Sequence, residues 1–306
     1  MRFKYLFIAF LLSLPFWLGM NFLQENLEKF FYAQIGQPFK EMVFVQFPEG
    51  ARKPKLELEA KSAISLKVNG AKEKVIFQKN PEENLPIASL TKLMTAVVVL
   101  EDENYDLENT WITISQTAAN QKDVPIYGNL KAGEGFNLKQ LLDLALIYSS
   151  NDSAFALSEV IGVENFVEKM NQKTGELELE NTNFVNPTGL DPENLYYHLP
   201  NQEYFNYSTV KDLAKLSQYI SESHPLIFEI SLEKGLYLVR NGLSDLSLPE
   251  SLILIGGKTG YTDEAGGCFL VVLQDENGSL FFNLILGTEK EKRTGEMQKL
   301  IDWLNL

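Results

Sequence analysis

Apolar positions cluster in short β-prone runs near both ends of this chain's body and recur at helical spacing through its middle. The two periods predict strands outside and helices inside. Ser62–Val68 and Lys74–Gln78, separated by Asn69-Gly70, read as a hairpin. Leu252–Ile255, Cys268–Leu273 and Leu280–Leu286 read as strands, the last two around a turn at Asn277-Gly278. Between these sets, Pro86 precedes a helix from Ser89 to about Glu101, and Trp111–Ile114 is a short strand. Asn137 suits the N-cap of a helix from Leu138 to about Tyr148, whose stripe Leu141, Leu142, Ala145 and Leu146 belongs in a core. Further helices are expected near Ser153–Ile161, Val163–Lys173 and from Ser208 to about Ser221, and the last at Glu291–Leu304. Asn186-Pro187-Thr188-Gly189 is loop chemistry. The pattern predicts an α+β fold in which the terminal strands share one sheet and the central helices form a separate layer or lobe.

The first residues break this pattern. Arg2 and Lys4 precede an apolar run from Tyr5 to about Leu23, close to the roughly 20 residues that span a bilayer. A basic start and an apolar stretch mark an export segment. Three readings stay open: an uncleaved anchor, a cleaved signal peptide or a buried helix. No clean small-x-small site follows, which favours the anchor, and the positive flank puts the body outside the cytoplasmic membrane. Gln24–Gln34 reads as a stalk, so residues 1–38 are assigned to anchor and stalk and 39–306 to one body. At about 150 residues per domain the full 306 would suggest two, but what remains is enough for one well-buried unit.

Charge and rare residues narrow the chemistry. Lys+Arg is 27 against Asp+Glu 41, a net charge of −14, which argues against a general nucleic-acid binder. A single cysteine, Cys268, excludes an internal disulfide framework and a multi-cysteine metal cluster. Two histidines, His198 and His224, leave little for a histidine-based metal site or triad. We expect neither metal nor cofactor.

Three short motifs carry the candidate chemistry. Ser89-Leu-Thr-Lys92 opens an apolar helix, and three residues along a helix put Ser89 and Lys92 on one face, within hydrogen-bond reach. A serine nucleophile needs a base, and a lysine can serve only when neutral. Lowering its pKa from about 10.4 to about 7 takes roughly 4 kcal/mol of burial and nearby positive charge. Taken singly, the motif is also what a helix-start serine with an exposed lysine would look like, and Ser231-Leu-Glu-Lys234 matches it in a polar stretch. Ser149-Ser150-Asn151 lies between two helical segments, where capping is the bland reading. Lys258-Thr-Gly260 follows the run Leu252–Ile255 and Gly256-Gly257, on or beside a strand that a ligand could approach. A second Lys-Thr-Gly at Lys173 ends a helix, with Gly175 as its cap.

The order S-x-x-K, S-x-N, K-T-G, separated by 149 − 89 = 60 and 258 − 149 = 109 residues, resembles the serine D-alanyl-D-alanine carboxypeptidases, the low-molecular-weight penicillin-binding proteins of peptidase family S11. The surrounding words match as well: Pro86-Ile-Ala-Ser89-Leu-Thr-Lys92-Leu-Met, Ser150-Asn-Asp152, Phe184-Val-Asn-Pro-Thr-Gly-Leu-Asp191, Tyr207-Ser-Thr209 with Asp212-Leu-Ala214, and Gly257-Lys-Thr-Gly-Tyr-Thr-Asp263. The resemblance covers about residues 55–306. It implies a β-lactamase/transpeptidase-like fold: an antiparallel sheet of N- and C-terminal strands flanked by helices, with an all-helical lobe. It implies that Ser89 attacks the carbonyl between two D-alanines of a peptidoglycan stem peptide and that Lys92 takes its proton. Backbone N–H groups of Ser89 and Tyr261 would form an oxyanion hole at the helix N-terminus. Ser149 would relay a proton to the leaving amine and Asn151 would hold Lys92. Lys258, Thr259 and Gly260 would receive the terminal carboxylate, with Arg293 in support. β-Lactam antibiotics would acylate Ser89 and leave slowly.

Larger relatives carry a second β-rich domain. Here 306 − 260 = 46 residues follow the K-T-G, which a hairpin and a helix use up. Two rival activities remain in view. A D,D-endopeptidase would cut cross-links with the same residues. A class A β-lactamase needs a Glu-x-x-Leu-Asn pattern, which Glu193-Asn194-Leu195 does not match. A catalytically silent wall-binding protein of the same fold is the third alternative. Asp191 and Asp263 read as turn or support residues, His198 as surface, His224-Pro225 as a loop and Cys268 as a buried small side chain.

Overall fold

A computed structural model describes residues 54–122, 129–197, 205–233 and 242–305, all within one unit that begins at Lys53. The export segment and stalk, His198 and Lys234 lie outside the described residues.

The first and last described strands meet in one sheet. Strand β1 (Ser62–Asn69) turns through Asn69-Gly70, where Gly70 has φ +56°, into β2 (Lys72–Lys79). The last strands are β7 (Leu252–Thr262), β8 (Gly266–Asp275) and β9 (Leu280–Thr288). All five pair antiparallel in the order β2-β1-β9-β8-β7, with Ile64 opposite Leu284 across the junction of the two sets. The expected single sheet from both termini is present.

Its strands look continuously apolar in sequence because both faces are covered. The two-residue period sends Cys268, Leu270 and Val272 of β8 into the core beneath the central helices. The intervening Phe269, Val271 and Leu273 face a second core with Met297, Leu300 and Ile301. These last three belong to the C-terminal helix Arg293–Leu304, α8 below. Burying one such side chain contributes roughly 1.5–3 kcal/mol, so the alternation commits the register strongly.

The helical layer follows β2 in order: α1 (Thr91–Glu101), α2 (Gln116–Ala119), α3 (Leu138–Ile147), α4 (Asn151–Glu159), α5 (Val163–Glu176), α6 (Val210–Ser223), α7 (Leu226–Leu232) and, after the sheet, α8. Short strand pairs join β3 (Leu85–Pro86) to β6 (Tyr207–Ser208) and β4 (Trp111–Thr113) to β5 (Gly135–Asn137). Asn137 caps α3 as expected and does more: its side chain accepts from Gln140 N at 2.8 Å while Gln140 Oε1 accepts from Asn137 N at 3.0 Å, a reciprocal box. Leu141, Leu142, Ala145 and Leu146 are core.

Several boundaries differ from expectation for identifiable reasons. Ser208 belongs to β6, and Thr209 caps α6 by accepting from Asp212 N at 3.0 Å. Ser89 sits in a 3₁₀ turn, Ala88–Leu90, ahead of α1. The last helix starts at Arg293, two residues after the expected Glu291. Helix α7 was not expected at all, since His224-Pro225 reads as a loop. Pro225 instead serves as its N-cap, a place where the ring's fixed φ helps and the missing N–H costs nothing. Gly175 does not cap α5: the helix runs on to Glu176, and the left-handed residue is Glu178 at φ +52°.

Candidate active site

The nucleophile candidate is held by a backbone interlock. Ala88 has φ +45°, and its carbonyl oxygen lies where a Cβ on Gly189 would sit, 2.0 Å away. Gly189 has φ +84°, so a side chain there would be excluded by conformation and by contact. Thus the loop 186–189 and the turn carrying Ser89 fit together only with glycine at this position. Asn186 shapes that loop, its Oδ1 accepting from Thr188 N at 3.0 Å and Gly189 N at 2.7 Å. Asn206 then ties it to the turn. Its Nδ2 donates to Asn186 O and Thr91 Oγ1, both at 2.9 Å, and its own carbonyl accepts from Ile87 N at 3.2 Å.

Lys92, 1% exposed in the first turn of α1, reaches back to Ser89. Its Nζ donates to Ser89 Oγ at 3.0 Å, Asn151 Oδ1 at 2.6 Å and Thr188 O at 2.7 Å. The expected Ser89–Lys92 contact is therefore made. So is the contact from Asn151, which is 59 residues away from Lys92 in sequence. Asn151 Nδ2 donates to Lys122 O at 2.8 Å, fixing the amide so that its oxygen faces Lys92.

The S-x-N segment divides its labour. Ser150 is the N-cap of α4, its Oγ accepting from Ser153 N at 3.2 Å. Ser149 is left free of that duty by a left-handed backbone, φ +63°. Its hydroxyl accepts from Lys258 Nζ at 2.8 Å. Capping and the second motif thus coexist in adjacent residues.

The third motif lies on β7 itself, which runs through to Thr262 rather than stopping near Ile255. Gly260 passes so close to the Ser89 turn that a Cβ there would lie 3.0 Å from Ser89 N and 3.1 Å from the Ala88 Cβ. A glycine lets the strand edge approach the turn. Lys258 is 3% exposed, and Thr259, Gly260 and Tyr261 line the cleft beside Ser89. Arg293 donates from its guanidinium to Gly260 O at 3.0 Å, and its buried Nε has no hydrogen-bond partner among the described residues. The cleft holds about 210 Å³ and is lined by Ser89, Ser149, Asn151, Leu190, Thr259, Gly260, Tyr261, Lys290 and Arg293, among others. All nine sequence-nominated residues therefore meet in one place.

Burial, then the cations Lys92 and Arg293, push the Lys258 amine well below the ordinary lysine range. A lysine with a depressed folded pKa makes the unfolded state the better proton binder below 10.5. Stability from this group is then intact at high pH and is lost as pH falls from about 10.5 toward the folded value. We expect Lys258→Met to flatten that part of the Tm-against-pH profile relative to the parent. Parallel profiles would show that Lys258 titrates normally.

Sequence reasoning missed Asn206, which lies in a Tyr/Asn-rich segment resembling an insertion, and the carbonyls of Thr188 and Lys122. Asn206 could have been suspected only from its type, a short amide suited to bridging backbones. The other S-x-x-K serine is structural: Ser231 Oγ donates to Phe228 O at 2.6 Å and accepts from Gly257 N at 3.1 Å behind β7. Asp191 and Asp263 act in support. Asp191 accepts from Glu264 N at 3.4 Å, and burial raises its pKa; Asp263 accepts from Tyr261 OH at 3.0 Å. His224 ends α6 and meets Glu101 at 3.1 Å, far from this chemistry in the fold. Cys268 is fully buried, and burial pushes its thiol up to about 12.

Known proteins resemble this chain in sequence and in fold. The family model described as D-alanyl-D-alanine carboxypeptidase, peptidase S11, matches residues 49–288. D-alanyl-D-alanine carboxypeptidase DacF of Bacillus subtilis is 31% identical over 267 residues, covering 83% of this chain and 64% of the relative. A D-alanyl-D-alanine endopeptidase of Pseudomonas aeruginosa is 29% identical over 235 residues, covering 71% and 68%. The chain thus spans about two thirds of the length of these relatives. Penicillin-binding protein D2 of Listeria monocytogenes, solved in its cefotaxime-bound form, superposes with a TM-score of 0.66 at 28% identity, covering 82% of this chain and 98% of that one.

Proposed function

As this chain belongs to the D-alanyl-D-alanine carboxypeptidase family S11, we propose that it is a serine D,D-peptidase that removes the terminal D-Ala from peptidoglycan stem pentapeptides. The observation that carries this reading is the Lys92 amine between Ser89 Oγ and Asn151 Oδ1, facing the Lys258–Ser149 pair across one cleft.

Ser89 Oγ attacks the penultimate carbonyl as its proton passes to Lys92 Nζ. The carbonyl oxygen becomes an oxyanion, and the backbone N–H groups of Ser89 and Tyr261 stabilise the charge that develops there. The C–N bond then breaks, the proton held by Lys92 passes through Ser149 to the leaving amine, and D-Ala departs with Lys92 neutral again. Water attacks the ester carbonyl and gives its proton to Lys92, which returns it to Ser89 Oγ as the ester C–O bond breaks. Lys258, Thr259 and the spare donors of Arg293 receive the substrate's terminal carboxylate. That charge favours the protonated form of Lys258, so binding draws a proton into the pocket. A β-lactam enters by the same route, but its leaving group stays tethered, and the acyl-enzyme persists.

Incubation with purified pentapeptide muropeptides followed by mass spectrometry is expected to show loss of one alanine. The endopeptidase among the relatives supports a second reading, cleavage of cross-links. Faster conversion of cross-linked dimers to monomers than of pentapeptides to tetrapeptides would favour it. Residues 1–38 serve in this proposal as anchor and stalk, placing the body 39–306 at the outer face of the cytoplasmic membrane. What supports this is the run Tyr5–Leu23 behind Arg2 and Lys4; among the described residues no helix is long and apolar enough to cross a membrane. Release of the full chain by alkaline carbonate alone would count against anchoring.

A further inference from the structure

Lys290 is a cation in the cleft that the proposed reaction does not use. It is exposed, lines the cleft, and its Nζ sits 4.5 Å from the centre of the Tyr261 ring. Tyr261 is itself tied down by its hydroxyl, which donates to Asp263 Oδ1 at 3.0 Å, so the ring that carries the lysine is anchored at its far end. Neighbouring Lys292 is consumed by Glu59 and Glu289, whereas among the described residues no carboxylate pairs with Lys290. A cation held over an aromatic face at a cleft rim is positioned to meet an anion that arrives with the ligand.

The strand says which part of the ligand that is. In the proposed reaction the terminal carboxylate lies at Thr259 and the scissile carbonyl at the N–H of Tyr261. Going from Thr259 to Tyr261 along β7 covers two residues, or about 6.6 Å. A bound peptide therefore passes from its C-terminus to the scissile bond over this stretch, and its acyl side continues past Tyr261 toward Lys290.

We propose that Lys290, seated on Tyr261, is a specificity residue that recognises a side-chain carboxylate on the N-terminal side of the scissile bond. The favoured acyl donor would then be a peptide whose residue before D-Ala-D-Ala ends in an acid. A donor ending in a neutral group or an amine would be served less well. This rests on the acyl-enzyme reading of Ser89, though not on which bond the enzyme prefers to cut.

The test uses the full chain and two penicillins with matched acyl side chains, one ending in a carboxylate and the other in the primary amide. Their second-order rates of acylation are measured for the parent, Lys290→Met and Lys290→Arg. The expected parent ratio, carboxylate over amide, is about five-fold, the scale of a partly exposed ion pair, with loss at high salt. It falls to about one in Lys290→Met and is kept in Lys290→Arg. An equal ratio in the parent and Lys290→Met, or equal loss of both rates, overturns the assignment. No acylation by either compound overturns the serine reading and this subsite together. A ratio that behaves as expected without any release of D-Ala from pentapeptide leaves the subsite standing and removes only the carboxypeptidase reading.

Discussion

Ser89→Ala is expected to abolish covalent labelling by fluorescent penicillin, a fall on the order of 10⁴-fold or more in acylation. The hydroxyl is the atom that would form the ester, and alanine offers nothing in its place. The fold should tolerate the change. Ser89 is only partly buried, and its loss removes one of several contacts of Lys92, which keeps Asn151 and Thr188. Reversible binding should persist, because Lys258, Thr259 and Arg293 are untouched. Band intensity on a gel under denaturing conditions reads the covalent step, and far-ultraviolet circular dichroism reads the fold. Full labelling of a folded Ser89→Ala protein would end the nucleophile assignment.

Lys92→Ala carries the second largest effect, about 10³-fold on the acylation step, within the range seen for removing a general base. Stopped-flow rates against penicillin concentration separate the limiting rate from the half-saturation concentration. The limiting rate should fall while half-saturation shifts only several-fold. The variant also leaves Asn151 Oδ1 and Thr188 O, both buried acceptors, without the amine, which should cost about 1–3 kcal/mol of stability. Urea unfolding tests that part. A limiting rate unchanged with half-saturation raised 10³-fold would make Lys92 a binding residue and not a base.

Much of the site was legible because its side chains announce themselves. Ser89 and Lys92 are three apart, and a helical turn brings any such pair together. The apolar strand and paired glycines ahead of Lys258 distinguish it from Lys173, whose own Thr-Gly lies inside α5. The chain's terminal strands were legible for the same reason: short apolar runs around Asn-Gly turns have few other homes. Apart from the Asn206 amide, what escaped was carried by backbone. Thr188 and Lys122 contribute carbonyl oxygens, which every residue has, so no spacing reveals them. The left-handed Ser149 looked like a cap because its neighbour Ser150 is one. Pro225 looked like a break because proline both ends and begins helices, and only the packing of α7 against β7 decides between the two.

The sheet order has a consequence for when this protein becomes an enzyme. Ser89, Lys92, Ser149, Asn151 and the K-T-G have all been made once synthesis reaches Gly260. The strand carrying Lys258 is nonetheless an edge, held to the rest of the sheet through β8 and β9. The sheet behind that strand is complete only when β9 closes on β1, more than two hundred residues earlier. Contacts of such long sequence separation form late and slowly. An extended chain would therefore carry every reactive group and no reactivity. Penicillin labelling during refolding should track sheet closure, not helix formation. Catalytic competence in this fold is a report that the last hairpin has docked.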